Sequence, residues 1–275
     1  MRIVSLLPST TEIVEALGKK DKLVGRSHEC NYPDDITTLP ACTEPKFKPD
    51  GSSYEIDQRV KALLQEGLSV YRVNEEKLAE LKPDIILTQD HCEVCAASLD
   101  DVKQAVRQTL GEHVKIVSVS PTDLSSWVQS IRTIADAIDA NEAAEELTGR
   151  MKSELQEIQQ KTIELTPPKV LSIEWMDPLM TAGNWIPELV HKLQVVFPWA
   201  LRQAIILRKF PSIPFNDSIP ILSPLFPVVT PSINPFQKFQ RLPLEMVGIN
   251  SVQYKTSRYI LPMAITISTG RDLVL

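Results

Sequence analysis

The sequence predicts an α/β protein built on parallel sheet, and three observations carry that reading. Short apolar runs of strand type alternate with helix-spaced apolar residues from Met1 to about Ser120. The stretch from Pro121 to about Leu165 is almost purely helical. Past His191 neither periodicity survives. The expected organisation is an N-terminal α/β lobe at 1–120, a helical connector at 121–166, the start of a second lobe at 167–191 and an irregular tail at 192–275.

Taken in order, Ile3–Leu6 reads as a strand that enters a loop at Pro8. Ser9 or Thr10 then caps a helix carrying Ile13, Val14 and Leu17, with Gly18 as its stop. The opening lacks the marks of a secretory leader: one cation, Arg2, precedes an apolar run broken by Pro8, and no small-residue cleavage site follows. The expectation is a cytoplasmic chain, or a periplasmic one whose true start lies upstream. Leu23–Arg26 is a strand, Tyr54–Gln65 a helix, Leu68–Tyr71 a strand and Asn74–Leu81 a helix. Ile85–Thr88 is a β-rich run, Leu99–Leu110 a helix and Lys115–Val119 a strand. Trp127, Ile131, Ile134, Ala135 and Ile138 form one helical stripe, and after Asp139-Ala140-Asn141 a second run through Leu147, Met151, Leu155, Ile158 and Ile163 extends it as a strut between lobes. Pro167-Pro168 ends that run. Val170–Glu174 restarts a strand, and Ile186–Val190 is a helix.

Composition excludes several classes. At 43% hydrophobic and 23% charged, 275 residues suit one large or two medium globular domains. No run approaches the roughly 20 apolar residues of a membrane span. A net charge of −6 opposes nucleic-acid binding, which needs a basic face. Four cysteines are too few for a disulfide scaffold in a chain this long. No Ser-His-Asp order, Walker loop or Gly-rich dinucleotide fingerprint supports an enzyme. Residues 192–275 differ from the rest: they carry net charge +6 against −12 for the remainder, and 10 of the 21 prolines. Proline at that density breaks helices and sheet ladders alike, yet the segment is rich in Ile, Leu and Phe, unlike a disordered tail.

One cluster has metal-ligand character: His28, Cys30, His91, Cys92 and Cys95, with Cys42 nearby in sequence. Cys92-x-x-Cys95 has zinc-knuckle spacing, and His28-x-Cys30 offers further ligands. Both pieces follow expected strands, whose carboxyl ends meet at one edge of a parallel sheet. Three readings stand side by side: a zinc or direct ligand site, reduced buried thiols beside a hydrogen-bonded histidine, and a redox cysteine pair. Pro8, Ser9 and Thr10 lie where a strand meets a helix N-terminus, which suits an anionic or amide group of a ligand or ordinary capping.

Residues 2–191 resemble the class III substrate-binding proteins of ABC importers, the cobalamin and iron-siderophore type. The resemblance rests on RIVSLLPSTTEIVEALG (Arg2–Gly18), ELKPDIIL (Glu80–Leu87), the long helix, and VLSIEWMDPLMTAGNWIPELV (Val170–Val190). It is closest to cobalamin-binding members carrying HECNYP (His28–Pro33) and DHCEVC (Asp90–Cys95). It implies two α/β lobes joined by one rigid helix, a non-enzymatic binder, and a corrinoid or metal chelate held between the lobes. Tyr32, Tyr71, Trp175 and Trp185 are then candidates to stack on a flat macrocycle. By the same resemblance Glu76 is an exposed acidic residue for docking on permease arginines, although a solvated helix glutamate is equally ordinary. The alternatives are a thiol- or metal-dependent activity at His28, Cys30, Cys92 and Cys95, and a non-functional truncated binding protein.

The resemblance should continue past Val190 with Ala-Gly-Gly and end near Asn-Arg-Pro-Gly-Pro-Arg, and neither is present. Both return when the tail is reverse-translated and the third base of each codon is joined to the first two of the next. Leu193–Ala200 then permits Ala-Gly-Gly-Ile-Pro-Leu-Gly, and Ile265–Leu275 permits Tyr-Asn-Phe-Asn-Arg-Pro-Gly-Pro-Arg-Leu. Met246–Ala264 supplies a third compatible stretch in the same frame. The expectation is that residues from about 191 onward are a frameshifted translation of a normal second lobe, leaving that lobe incomplete.

Overall fold

A computed structural model describes residues 1–90, 96–111, 113–164, 171–192, 221–224, 251–253 and 264–268. The chain divides into two compact units: Met1–Pro49 with Gln58–Lys152, and Asp50–Asp57 with Ser153–Leu275.

The first unit is built on a parallel sheet of β1 (Ile3–Ser5), β2 (Leu23–Arg26), β5 (Ile85–Gln89) and β6 (Lys115–Val119), ordered β2-β1-β5-β6. A separate antiparallel pair joins β3 (Thr43–Pro45) to β4 (Tyr71–Val73). Every residue of β1 and β5 is buried, the pattern of strands covered on both faces. Helix α1 (Pro8–Ala16) begins on proline, whose fixed φ suits a first turn, and Gly18 at φ 71° supplies the left-handed stop. Helices α2 (Ser53–Gln65), α3 (Glu75–Leu81) and α4 (Leu99–Thr109) follow. The side chains of Asn74 and Ser98 cap α3 and α4, each accepting a first-turn N–H.

The faces of the sheet are fixed by side-chain partners. Ser5 reaches the hydroxyls of Thr10 and Thr11, so its side of the sheet carries α1. The β1-to-β2 and β5-to-β6 connections run in opposite directions across the sheet, and right-handed crossovers then put α1 and α4 on opposite faces. At Gly25 a Cβ would come within 2.7 Å of both Cys42 Sγ and Leu81 Cδ1, so glycine there is a packing requirement.

The helical stretch at 121–166 contains two helices, divided at the Asp139-Ala140-Asn141 break the sequence marks. Helix α5 (Leu124–Ala137) opens with an Asp123/Ser126 capping box, and Asp139 at φ 53° turns the chain into α6 (Asn141–Thr162). The stripe of Trp127, Ile131, Ile134 and Ala135 is buried, and α5 packs on α1 and β6 as part of the first unit's core. That apolar face is wide enough to need cover on its own account. The boundary between units falls inside α6, after Lys152, and Ile163 beyond the helix is 69% exposed.

In the second unit β7 (Leu171–Met176) turns at Asp177-Pro178 into antiparallel β8 (Leu179–Thr181), and α7 (Ile186–Lys192) follows. Three short strands are described beyond residue 192: β9 (Ile221–Pro224), β10 (Ser251–Gln253) and β11 (Ala264–Ser268), in sheet order β10-β11-β9-β7-β8. β9 runs parallel to β7, while β11 is antiparallel to both β9 and β10. The rest of the expected irregular tail lies outside the described residues. Among the described residues no helix is long and apolar enough to cross a membrane.

One titratable group strains this packing. Burial on α1, reinforced by Glu15, pushes the Glu12 carboxyl up to about 7. A raised carboxyl favours the folded state while it stays protonated, and the contribution is lost as pH rises from the unfolded value through 7. Glu12→Gln is therefore expected to leave stability unchanged near pH 4 and to raise it by about 2–3 kcal/mol at pH 8, checked by denaturant unfolding at both pH values.

Candidate functional site

Strand order reverses direction between β1 and β5, because the chain passes outward to β2 from one and to β6 from the other. In open α/β sheets, ligands bind beyond the carboxyl ends of the strands at such a point. The segments that leave this edge are Leu6–Ser9 after β1, Ser27–Pro33 after β2 and the chain from Asp90 after β5.

At the first segment the helix starts two to three residues earlier than its hydroxyls suggest. Leu7 is the N-cap and offers no side-chain hydrogen bond, so neither Ser9 nor Thr10 caps α1. Thr10 is buried, with its hydroxyl 2.6 Å from Ser5 Oγ, and this spends it inside the fold. Pro8 and Ser9 are half-buried, and the first-turn N–H groups of α1 have no side-chain cap.

The second segment is held by Arg26. Its guanidinium donates to the carbonyls of Leu39 at 3.1 Å, Ser27 at 2.9 Å, Cys30 at 3.4 Å and Thr37 at 3.2 Å. A planar fork with five donors suits such a gathering of carbonyls. His28 sits on this loop with Nδ1 2.8 Å from Thr43 Oγ1, while Thr43 Oγ1 also accepts the His28 backbone N–H and lies 2.9 Å from Ser27 Oγ. The imidazole meets the Tyr71 ring edge-on at 5.0 Å. Burial, then the positive charge of Arg26, lowers its pKa to about 4, so the ring is neutral at physiological pH.

Tyr71 is 1% exposed and donates its hydroxyl to Glu29 Oε1 at 2.8 Å. Its ring is core, packed on His28, and offers no open face for a macrocycle; burial and the Glu29 carboxylate push the phenol well above its ordinary range. Tyr32, at 38% exposed, is the aromatic of this loop that does face outward. Cys30 is buried with Sγ 3.1 Å from Thr11 Oγ1, and burial pushes its thiol up to about 11. Cys42 is likewise buried and raised to about 11. Neutral, enclosed thiols are poor metal ligands. His91, Cys92 and Cys95 lie outside the described residues, and among the described residues no three His, Cys, Asp or Glu side chains gather to hold a metal ion.

In the second unit Trp175 is half-buried, its Nε1 donating to the Asp177 carbonyl at 3.0 Å, and Trp185 is buried. The same hairpin exposes Met176 and Met180. Glu76 is exposed in the first turn of α3. Sequence reasoning passes over Arg26, Glu29 and Thr43. The signal for Arg26 and Glu29 is the run GRSHE at the end of a strand; Thr43 carries none.

Comparison with known proteins bears on this arrangement. Residues 3–215 match the family described as Periplasmic binding protein. The chain belongs to that family. A periplasmic binding protein relative, the uncharacterized ABC transporter substrate-binding lipoprotein YvrC of Bacillus subtilis (strain 168), is 32% identical over 176 residues, which is 63% of this chain and 46% of the relative. The chain thus spans about half the length of the curated relative it matches. Among solved structures, the periplasmic vitamin B12 binding protein BtuF of Vibrio cholerae superposes with TM-score 0.50 at 21% identity, covering 71% of this chain and 65% of that one. The periplasmic heme binding protein HutB of Vibrio cholerae gives 0.52 at 19% identity, covering 72% and 65%. A possible iron-binding, periplasmic solute-binding protein of Staphylococcus epidermidis ATCC 12228 gives 0.51 at 21%, covering 71% and 66%. These likenesses establish the fold as the α/β fold of class III periplasmic binding proteins.

The Arg26 network makes a testable demand on this family member. Arg26→Gln is expected to speed amide exchange across Ser27–Leu39 by about 10- to 100-fold and to cost about 2–3 kcal/mol of stability, with β5 and β6 protection retained. Hydrogen-exchange mass spectrometry reads both; an unaltered loop would mean that its carbonyls are ordered without the guanidinium.

Proposed function

We propose that the chain binds a flat metal chelate, with a cobalamin-like corrinoid first among the ligands, as the substrate-binding component of an ABC importer. The single observation that carries the reading is the reversal of strand order between β1 and β5 in a member of this family, with an uncapped helix N-terminus and the outward-facing Tyr32 at that edge. Support comes from neighbours whose names specify vitamin B12 and heme, both planar macrocycles with polar rims. Pro8, Ser9 and Tyr32 supply the first unit's contacts in this reading; Trp175 and Trp185 are stacking candidates by residue type alone. Tyr71 and Thr10 act from behind as packing. Glu76 is the permease-docking residue, and its exposure on α3 suits that role. An importer component works where its permease can reach it, outside the cytoplasmic membrane, and the Bacillus relative is named a lipoprotein.

We also infer that residues from about 191 onward are a frameshifted reading of the second lobe, which leaves the chain with one complete half of its grip. Loss of half the contact surface is expected to weaken a ligand by on the order of 100-fold, or about 2.7 kcal/mol. The test titrates two proteins, the chain as it stands and a version re-read in the shifted frame from residue 192, with cyanocobalamin, hemin and a ferric siderophore, following absorbance. The re-read protein is expected to bind the corrinoid at micromolar concentration or tighter, and the unaltered chain at least ~100-fold more weakly. Absence of binding by either protein to any of the three would remove the chelate reading.

A further inference from the structure

Four buried side chains at the start of α1 form one chain of hydrogen bonds: Ser5, Thr10, Thr11 and Cys30. Thr11 Oγ1 lies 3.1 Å from Cys30 Sγ and 2.8 Å from Ser5 Oγ, which is 2.6 Å from Thr10 Oγ1. All three hydroxyls also reach the Leu7 carbonyl, at 3.1 to 3.2 Å. Each hydroxyl, and the thiol, has one proton to give. Burial holds the Cys30 thiol protonated, so it can donate. Running from Cys30 to Thr11, Ser5, Thr10 and the Leu7 carbonyl, every proton finds an acceptor. A buried polar chain satisfied in this way is stiff, because loss of one member strands the next.

The chain matters for what it joins. Ser5 belongs to β1, Leu7 is the N-cap of α1, and Cys30 sits on the loop after β2. Thr11, the fourth residue of α1, touches all three through one oxygen. It is fully buried and meets no ligand itself, yet it stands one bond from each segment that faces the sheet's carboxyl edge. Pro8 and Ser9 occupy the turn before it, half-buried, and the outward-facing Tyr32 follows two residues after Cys30. Arg26, Thr43 and Tyr71 hold the loop to itself and to β3 and β4. The Thr11–Cys30 bond ties it to α1. Contact groups held in place before a ligand arrives bind it more tightly, since less ordering remains to be done.

We propose that Thr11 is a positioning residue: its hydroxyl joins the loop after β2 to the start of α1, so that Tyr32 and the Pro8–Ser9 turn form one preformed half-site. The inference rests on the chelate-binding reading for its ligand and adds the residue that sets the rigidity of the site.

The experiment compares hydrogen exchange of the full chain with that of Thr11→Val, Thr11→Ser, Cys30→Ala, Cys30→Ser and the double variant Thr11→Val/Cys30→Ala. Thr11→Val and Cys30→Ala break the same joint from opposite sides, so the test does not hang on one variant. Each is expected to speed exchange about 10-fold both at Thr11–Val14 and at Ser27–Tyr32, with β5 and β6 protection retained. The double variant should be no faster than either single one. Thr11→Ser and Cys30→Ser keep a donor and acceptor in place and should exchange like the parent. Cyanocobalamin titrations, in the chain and in its version re-read from residue 192, should show Thr11→Val binding about 10-fold more weakly, with affinity restored in Thr11→Ser. Quickened exchange only in the segment that bears the substitution, additive effects in the double variant, or Thr11→Ser behaving like Thr11→Val would overturn the proposal. So would equal cyanocobalamin affinity in parent and Thr11→Val. If neither parent binds cyanocobalamin, hemin or a ferric siderophore while the two segments lose protection together, the chelate reading falls and the joint stands.

Discussion

The burial of β1 between β2 and β5 is the constraint from which the rest of the first unit follows. Ile3, Val4 and Ser5 have no exposed surface, and each pairs with a neighbour on both sides. A strand so placed is covered on both faces and favours apolar side chains, and α1 and α4 supply the cover. Because β1 is also the strand from which the chain departs in one direction while β5 departs in the other, it creates the gap at the sheet's carboxyl edge. Folding core and candidate site are therefore set by the same three residues.

Beside that gap the loop after β2 is organised from within. Arg26 collects four carbonyls, Thr43 Oγ1 holds both the backbone N–H and the ring Nδ1 of His28, and Tyr71 links the loop to β4 through Glu29. In a low-dielectric interior such bonds reinforce one another, and an unpaired member is costly.

Much of the first unit was legible in its sequence for a physical reason: strands such as Leu23–Arg26 and Lys115–Val119 are short segments rich in β-forming apolar residues between helical patterns, and the structure keeps those limits. The β3 strand escaped notice because Thr43–Pro45 is short, polar and ends on proline, and its pairing with β4 is a tertiary event. The helical stretch was legible as helix, yet its division of labour was not, since only contact shows that α5 covers a sheet. At the site, residue type drew attention to the loop after β2, and the structure gives several of its members other surroundings than their type suggests. Tyr71 looked like a stacking ring and is core; Cys30 looked like a ligand and is a buried thiol hydrogen-bonded to a threonine. Arg26 carried no motif, because an arginine that serves backbone carbonyls leaves no sequence partner to recognise.

The account's central claim is that ligands engage this protein at the carboxyl edge where β1 and β5 part. Hydrogen exchange of the re-read protein with and without saturating cyanocobalamin tests it most directly. The account expects slowed exchange at Leu7–Thr10 and across Ser27–Tyr32, with the opposite edge of the sheet unaffected. Protection confined to the amino ends of these strands, with that edge unchanged, would contradict it.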